Sequence, residues 1–193
     1  MSNETYIHPT AIVEEGAEIG ENTKIWHFCH IRAGAKIGDN VSIGRDCYVD
    51  SQVTIGSYSR IQNGVSIYNG VTIDEYCFVG PHVIFTNDQS PRVLKKGWEI
   101  LNTKLELGAS LGAGSIIRCG VQLGRFTMIG AGSVVTKNTK DFSLHLGLPS
   151  VQKGYVCACG DRRLEKSDKV VFDCCVEKLP DHMIDKIKKD IHE

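Results

Sequence analysis

The sequence of 193 residues contains no long apolar run and no cluster of basic residues. A membrane-spanning helix needs roughly 18 or more consecutive apolar residues, and no stretch approaches that length. Lys and Arg number 22 against 23 Asp and Glu, which gives a formal net charge of −1. Because non-specific binding to nucleic acid depends on clustered Lys and Arg, this balance argues against that partner. We therefore expect neither a membrane nor a nucleic acid as a binding partner.

The sequence also lacks the features of an export signal. Its first ten residues, MSNETYIHPT, do not combine basic residues with a following apolar run. The eight cysteines therefore favour reduced thiols or metal ligands over a disulfide framework. These observations predict a cytoplasmic protein with one compact domain and at most a short appendage.

A six-residue repeat dominates the chain. Large aliphatic residues recur at every sixth position from Ile7 to Val79, and the rhythm resumes at Leu105 and continues to Val135. A small residue lies four positions after each aliphatic one, and Gly often follows the aliphatic directly. Neither an α-helix of 3.6 residues per turn nor a heptad repeat has this period.

Six residues are enough for one short strand and one turn, and three such units close a triangular coil. Coils of this kind stack in parallel about 4.8 Å apart and place like residues above like. The repeat predicts an all-β fold, a parallel β-helix of hexapeptide repeats over residues 1–149. Residues 150–193 are predicted to form a cysteine-containing tail that ends in a short α-helix. The small inward position is also where Cys29, Cys47 and Cys77 fall, so we interpret these thiols as packing residues.

The repeat is interrupted over residues 86–104, and a long loop in a regular solenoid is usually functional. The loop opens with the polar pair Asn87 and Asp88, and Pro91 followed by Arg92 gives it a bend. Its later apolar residues, among them Trp98, favour docking on a neighbouring surface. A flexible insertion, or an arm that only joins subunits, is the alternative.

Positions 18 residues apart share a corner of the predicted coil. If the loop preserves the register, one corner carries Asp50, Ser51, Tyr68, Asn69, Asn87, Arg118, Cys119, Thr136 and Lys137. This edge would run from hydrogen-bonding groups, past the loop, to cations, which suits a nucleotide-type ligand. A merely solvated corner remains the alternative, because solenoid turns are generally polar.

Three stretches carry a family resemblance: IQNGVSIYNGV at 61–71, FVGPHVIFTNDQSPR at 78–92 and LGASLGAGSIIRCGVQLGRFTMIGAGSVV at 107–135. Over about residues 5–150 the chain resembles the sugar-nucleotide N-acetyltransferases of bacterial surface-polysaccharide synthesis. The subgroup it resembles acetylates the 3-amino group of UDP-2-acetamido-3-amino-2,3-dideoxyglucuronic acid. The resemblance implies a left-handed β-helix, a homotrimer, and acetyl-CoA and sugar nucleotide meeting in grooves between subunits.

The resemblance also implies roles for individual residues. Asn87 and Asp88 match the loop Asn and Asp of the family, whereas Ser51 stands where some relatives have a His. We assign Asn87, Asp88 and His82 as candidate catalytic residues, His82 as a possible base. Candidate substrate-binding residues are Ser51, Tyr68, Asn69 and Arg92. Candidate acetyl-CoA contacts are Gly112, Arg118, Gly130 and Lys137, the glycines through nearby backbone N–H groups and the cations through phosphates. No metal is assigned to the reaction.

Two rival functions stay open at this stage. A non-catalytic β-helical scaffold would need nothing beyond the coils. A metal-dependent enzyme of the carbonic-anhydrase type would use His residues, and His27 and His30 draw attention to it. Their spacing does not match the close pair that such a site requires.

The tail contains Cys157 and Cys159 in a C-x-C-G segment, then the adjacent pair Cys174 and Cys175. Neither pair has the two-to-four-residue spacing of a zinc knuckle, so bound zinc and packing thiols both remain possible. From Pro180 onward, apolar residues at 183, 184, 187 and 191 predict a short amphipathic helix. We expect this helix to cap the last coil and cover its strand edges.

Overall fold

The computed structural model describes residues 4–161, 163–166 and 170–191. Its main body is a parallel β-solenoid with three flat faces, as the six-residue repeat predicts. Each strand up to Val135 is only two or three residues long, because a turn follows directly after the inward aliphatic residue. The left-handed winding of the coil stays a prediction from the family resemblance.

The three faces are three sheets, and strands three apart in sequence are neighbours. The first sheet consists of β1 Tyr6–Ile7, β4 Lys24–Ile25, β7 Ser42–Ile43, β10 Arg60–Ile61, β13 Phe78–Val79, β16 Ser110–Leu111, β19 Met128–Ile129, β21 Ser143–Leu146, β22 Val151–Val156 and β23 Arg163–Leu164. The second consists of β2 Ile12–Val13, β5 His30–Ile31, β8 Tyr48–Val49, β11 Ser66–Ile67, β14 Ile84–Phe85, β17 Ile116–Ile117 and β20 Val134–Val135. The third consists of β3 Glu18–Ile19, β6 Lys36–Ile37, β9 Thr54–Ile55, β12 Val71–Ile73, β15 Thr103–Leu105 and β18 Gln122–Leu123.

The core is a column of aliphatic side chains stacked on one another. Ile55 pairs in register with Ile73, which pairs with Leu105, and all three are essentially inaccessible to solvent. In the strands from β4 to β20 the inward residue is buried and the outward residue is half-buried or exposed, so successive residues alternate between core and solvent. Like residues therefore lie above like, which confirms the predicted stacking.

The thiols of the column are packing groups, as their position in the repeat indicated. Cys29, Cys47 and Cys77 are at most 2% exposed. The Sγ of Cys47 donates to the carbonyl oxygen of Gln62 at 3.1 Å. Burial raises the pKa of the Cys77 thiol to about 12, so it stays protonated and unreactive at neutral pH.

The tail does not cap the column in the way the sequence suggested. β21 and β22 pair antiparallel across the predicted boundary at residue 149, and β23 continues the same sheet. The helices α1, Asp173–Lys178, and α2, Asp181–Ile191, follow. The prediction that α2 caps the last coil is wrong, because α2 lies along the side of the column.

The contacts of α2 show where it lies. The hydroxyl of Tyr76 and Nε2 of His182 are 3.0 Å apart, and Lys186 pairs with Glu75 at 3.7 Å. Apolar side chains of the tail pack on a second cluster that includes Phe126 of the column. The apolar face of α2 thus packs against aromatic residues at a corner of the column and not against open strand edges. None of the described helices is long and apolar enough to cross a membrane.

Candidate active site at the loop corner

The one long loop leaves the column at the corner between the second and third sheets, which we call the loop corner. β14 pairs with β11 on one side and with β17 on the other, so the coil register continues across the loop. Thr86 holds the departure point, since its Oγ1 accepts the N–H of Cys119 at 2.9 Å. The register assumed in the sequence analysis is confirmed. Asn87 therefore leaves the column at the corner that carries Asn69 and Ser51.

Asn87 and Asp88 are half-buried where the loop departs. Oδ1 of Asp88 accepts the N–H of Ser90 at 2.8 Å, which closes a local turn and orients the carboxylate. Within the part of the chain that the structure describes, the side-chain amide of Asn87 has no hydrogen-bond partner. A half-buried amide without a protein partner is available to a ligand.

The returning half of the loop packs on the column at two glycines. A Cβ atom at Gly70 would lie 2.4 Å from Cγ2 of Ile100, and one at Gly120 would lie 3.3 Å from Cβ of Leu101. Both glycines have positive φ, so they supply the backbone conformation as well as the space. The tip of the loop carries Val93 and Leu94, which are almost fully exposed.

Arg92 is exposed, and its Nη1 donates to the carbonyl oxygen of Pro91 at 2.9 Å. The guanidinium therefore lies close to its own backbone, at the base of the tip. Trp98 is half-exposed further along the loop. The described residues leave this apolar tip uncovered within one chain.

An ion network, which the sequence analysis missed, lies on the same corner nearer the N-terminus. Glu14 is its centre: Oε1 contacts Nε2 of His30 at 2.8 Å and Nε of Arg32 at 2.9 Å. Nη1 of Arg32 also donates to the hydroxyl of Tyr48 at 3.2 Å and lies 3.9 Å from Oδ1 of Asp50. The signal was available, because residues 14, 32 and 50 share one corner position and alternate in charge.

Asp50 joins this network to the predicted substrate residues. Its two carboxylate oxygens accept the N–H of Ser51 at 2.8 Å and of Asn69 at 3.3 Å. The rings of Tyr48 and Tyr68 are 6.0 Å apart. Three of the predicted substrate residues, Ser51, Tyr68 and Asn69, therefore lie together just before Asn87 on the corner.

The network predicts an acid-dependent part of the stability. The N–H of Ala33, followed by hydrogen bonds from His30 and Arg32, lowers the pKa of Glu14 to about 2. Because the carboxylate of Glu14 is favoured in the folded state, it stabilises the fold at pH values above its ordinary pKa of 4.5. This stabilisation is lost as the pH falls towards about 2 and the carboxylate becomes protonated. We expect Glu14→Gln to unfold at lower urea than the wild-type protein at pH 7, with the difference disappearing near pH 2.

The matched control is Glu18→Gln, which removes an exposed pair with Lys36. Exposed pairs contribute little, so this variant should follow the wild-type protein at every pH. Urea midpoints between pH 7 and pH 2 measure both variants. If the urea midpoints of Glu14→Gln and the wild-type protein differ by the same amount at every pH, the assigned pKa of Glu14 is wrong.

His82 lies at another corner, between the first and second sheets, and strand β14 separates it from Asn87. It is exposed, and its ring lies over Gly64. Gly112 and Gly130 lie at this same corner, and their N–H groups donate to Ile129 and His145 of the next coil.

The glycines at this corner therefore serve the contact between coils. A Cβ atom at Gly112 would lie 2.4 Å from the backbone nitrogen of Ala131. The exposed residues next to the glycines, Ala113 and Ala131, have N–H groups that find no hydrogen-bond acceptor among the described residues. These two groups, rather than those of the glycines, are free to bind a ligand.

Arg118 and Lys137 are exposed at the loop corner beyond the loop, on successive coils. Lys137 lines a cleft together with His145 and Gln152. Nε2 of His145 is buried without a hydrogen-bond partner in the described part of the chain, and burial lowers the pKa of this imidazole. The sequence did not indicate this buried, unpaired imidazole, which lines the same cleft as Lys137.

The described residues do not assemble a histidine metal site within one chain. Nε2 of His30 is occupied by Glu14, and His27 stacks on His8 with ring centroids 3.5 Å apart. Within residues 4–161, 163–166 and 170–191, the group of three or more potential metal ligands consists of the four cysteines of the tail. That group lies away from the loop corner.

Known proteins share the six-residue repeat of this chain. The family model described as "Bacterial transferase hexapeptide (six repeats)" matches residues 34–69 and 52–87, and the model "Hexapeptide repeat of succinyl-transferase" matches residues 103–137. The dTDP-3-amino-3,6-dideoxy-alpha-D-galactopyranose 3-N-acetyltransferase of Aneurinibacillus thermoaerophilus is 44% identical over 174 residues, which are 90% of this chain and 90% of that protein.

Solved structures show the same fold. A mutant of perosamine N-acetyltransferase from Caulobacter crescentus, in complex with CoA and GDP-perosamine, is 25% identical with a TM-score of 0.52, covering 79% of this chain and 58% of that one. A mutant of the N-acyltransferase AntD from Bacillus cereus, in complex with dTDP-4-amino-4,6-dideoxyglucose and CoA, is 19% identical with a TM-score of 0.51, covering 97% and 90%. Since the Aneurinibacillus enzyme aligns with nearly the whole chain, the chain belongs to the family of hexapeptide-repeat sugar-nucleotide N-acetyltransferases.

Proposed function

We propose that this protein transfers an acetyl group from acetyl-CoA to the 3-amino group of a nucleotide-linked amino sugar. The observation that carries the proposal is the unpartnered amide of Asn87 at the one departure from the column, above a series of polar corner groups. The relative that is 44% identical is named for acetylation of a sugar 3-amino group, which supports the position of the acceptor. A scaffold would have no need for such a site.

The reaction makes modest demands on the protein. The neutral amine attacks the thioester carbonyl, a C–N bond forms, the C–S bond breaks, and CoA leaves as its thiol after taking up the amine proton. An amine is already a good nucleophile, so holding the reactants within attack distance supplies most of the acceleration, about 7 to 11 kcal/mol. A strong base is not required.

The geometry supports a division of roles. Asn87 orients the amine or the carbonyl by hydrogen bonding, and Asp88 holds a sugar hydroxyl or accepts the amine proton. Ser51, Tyr68 and Asn69 extend from this point along the corner and suit the rest of the sugar nucleotide. Arg92, at the base of the loop tip, is positioned to pair with a charged group of the same ligand.

The acetyl-CoA contacts fall into two groups. The free N–H groups of Ala113 and Ala131, beside Gly112 and Gly130, suit the amide-rich pantetheine arm and a developing oxyanion. Arg118 and Lys137 suit the phosphates, because they project from successive coils at the loop corner. His82 shares a corner with the glycines, so its role as a base requires a substrate that reaches that corner.

We infer that the complete site forms between subunits of a homotrimer. Within one chain, the loop corner and the corner that carries Gly112 and Gly130 lie at opposite edges of the second sheet, so one subunit does not bring all the proposed contacts together. The exposed apolar loop tip at Val93 and Leu94 supports docking on a neighbouring copy. Light scattering during gel filtration should give the mass of three chains. A stable monomer would remove the shared site.

The identity of the sugar nucleotide is the finer part of the proposal. The resemblance of the sequence indicates UDP-2-acetamido-3-amino-2,3-dideoxyglucuronate, as used in surface-polysaccharide synthesis. The Aneurinibacillus relative favours a dTDP-linked 3-amino-3,6-dideoxy sugar. The two differ in the base, in the group at C2 and in the carboxylate of the uronate, so a direct assay separates them.

The test is to incubate the purified protein with acetyl-CoA and a panel of UDP- and dTDP-linked 3-amino and 4-amino sugars. Thiol release measures turnover, and mass spectrometry of the products measures acetylation. We expect acetylation of 3-amino sugars and preference for one nucleotide. Preference for 4-amino sugars overturns the proposed acceptor, and no thiol release with any sugar favours the scaffold.

A further inference from the structure

The four cysteines of the tail come together from two separate segments. Cys157 and Cys159 lie in the turn between β22 and β23, and Cys174 and Cys175 belong to α1. Their sulfur atoms all lie within 4.8 Å of one another. The four other cysteines of the chain, at 29, 47, 77 and 119, are buried along the column and form no such group among the described residues.

The sulfur separations resemble those of a tetrahedral metal site. The Sγ of Cys159 lies 3.6 Å from that of Cys157, 3.8 Å from that of Cys174 and 3.6 Å from that of Cys175. A zinc ion binds thiolates at about 2.3 Å, and the edge of a regular tetrahedron with that radius is about 3.8 Å. Three edges of the sulfur group therefore already match a zinc tetrathiolate.

The surroundings suit a closed structural site. Cys157 and Cys175 are buried, whereas Cys159 and Cys174 are half-exposed and leave a path for the ion. The N–H of Gly160 donates to the carbonyl oxygen of Cys157 at 2.8 Å, and positive φ at Gly160 allows this tight turn. Asp161 and Lys178 form an ion pair between the same two segments.

We propose that Cys157, Cys159, Cys174 and Cys175 bind one Zn²⁺ ion as a structural tetrathiolate that fastens α1 to the β22–β23 turn. Binding releases the thiol protons to solvent, and the ion neutralises half of the resulting charge. The short tail has a small core of its own, so a metal crosslink adds stability where packing is limited. The spacing of the cysteines did not predict this site, because the ligands converge through the chain reversal and not within one knuckle.

The first experiment measures metal in the protein as purified under reducing conditions without added metal. Native mass spectrometry and elemental analysis should give one zinc per chain. The double variant Cys159→Ser/Cys174→Ser should retain less than about a tenth of that zinc, because it removes two of four ligands. The control Cys47→Ser should retain all of it, since serine occupies the equivalent small inward position at Ser59 and Ser115.

The second experiment uses the wild-type protein alone and so does not depend on the folding of a variant. Removing metal with a chelator should lower the melting temperature, and adding back zinc should restore it. Cobalt(II) added instead should show the visible bands of tetrahedral cobalt with thiolate charge transfer in the near ultraviolet.

Three results would overturn the proposal: protein without metal that takes up neither zinc nor cobalt, disulfides between these cysteines in freshly purified protein, or iron in place of zinc. Each of these measurements reads the metal or the thiols directly. Acetyl transfer is not part of the readout, so failure of the proposed function leaves this test unaffected.

Discussion

Replacing Asn87 by alanine is expected to lower kcat/KM by a factor of about 10² to 10³, the cost of losing one group that orients or stabilises the reacting centre. The melting temperature should change by no more than about 2 °C, because a half-exposed loop residue outside the core contributes little to folding. The side chain makes no hydrogen bond to the described residues, so its removal leaves no protein group unpaired. The loss should therefore appear in turnover and not in stability.

The matched control for this change is Gln89→Ala, which removes an exposed amide two residues further along the same loop. It should leave both kcat/KM and the melting temperature close to those of the wild-type protein. Asn87→Asp adds a second comparison, because it keeps the size and the acceptor oxygen but removes the N–H donors. Steady-state kinetics and thermal denaturation measure all three variants.

The assignment of Asn87 fails under two outcomes. If Asn87→Ala loses activity and stability in equal measure, the residue supports the structure of the loop. If Gln89→Ala is as inactive as Asn87→Ala, the loop as a whole is sensitive and no individual role follows.

Replacing Ile73 by alanine is expected to lower the free energy of unfolding by about 2 to 5 kcal/mol. Ile73 is inaccessible to solvent and lies between Ile55 and Leu105 in the third sheet. The substitution leaves a cavity between these two side chains. The backbone hydrogen bonds to the coils above and below limit how far the coils can move to fill it. The cost should therefore fall in the upper part of this range.

The control is Ile12→Ala, which removes the same atoms from an outward residue that is 59% exposed. Its cost should stay below about 1 kcal/mol, since little apolar surface returns to water. Urea unfolding at one fixed protein concentration measures both, because an oligomer adds a concentration dependence to stability. Equal losses for the two variants would contradict the inward and outward alternation on which the fold rests.

Much of the site follows from the repeat alone. Because coils stack in register, counting by 18 places Asn69 and Ser51 beneath Asn87, and the structure confirms that corner. The same counting relates Glu14, Arg32 and Asp50, so the ion network could have been found by asking which charges share a corner. Counting does not show which polar groups have hydrogen-bond partners: the N–H groups of Ala113 and Ala131 find no acceptor among the described residues.

The tail shows the opposite case. No period relates Cys159 to Cys174, and their convergence depends on the antiparallel pairing of β22 with β23 and on the position of α1. His82 illustrates the same limit within the solenoid, since five residues of sequence separate it from Asn87 but a whole strand places it at another corner.

The solenoid, the inward thiols and the position of the loop follow from the amino-acid pattern, because a strictly periodic chain repeats each local contact on every coil. The course of α2, the meeting of the four cysteines and the availability of individual polar groups became visible only in the folded chain. Those features depend on contacts between segments without a common period, and such contacts are selected by packing and hydrogen bonding in three dimensions.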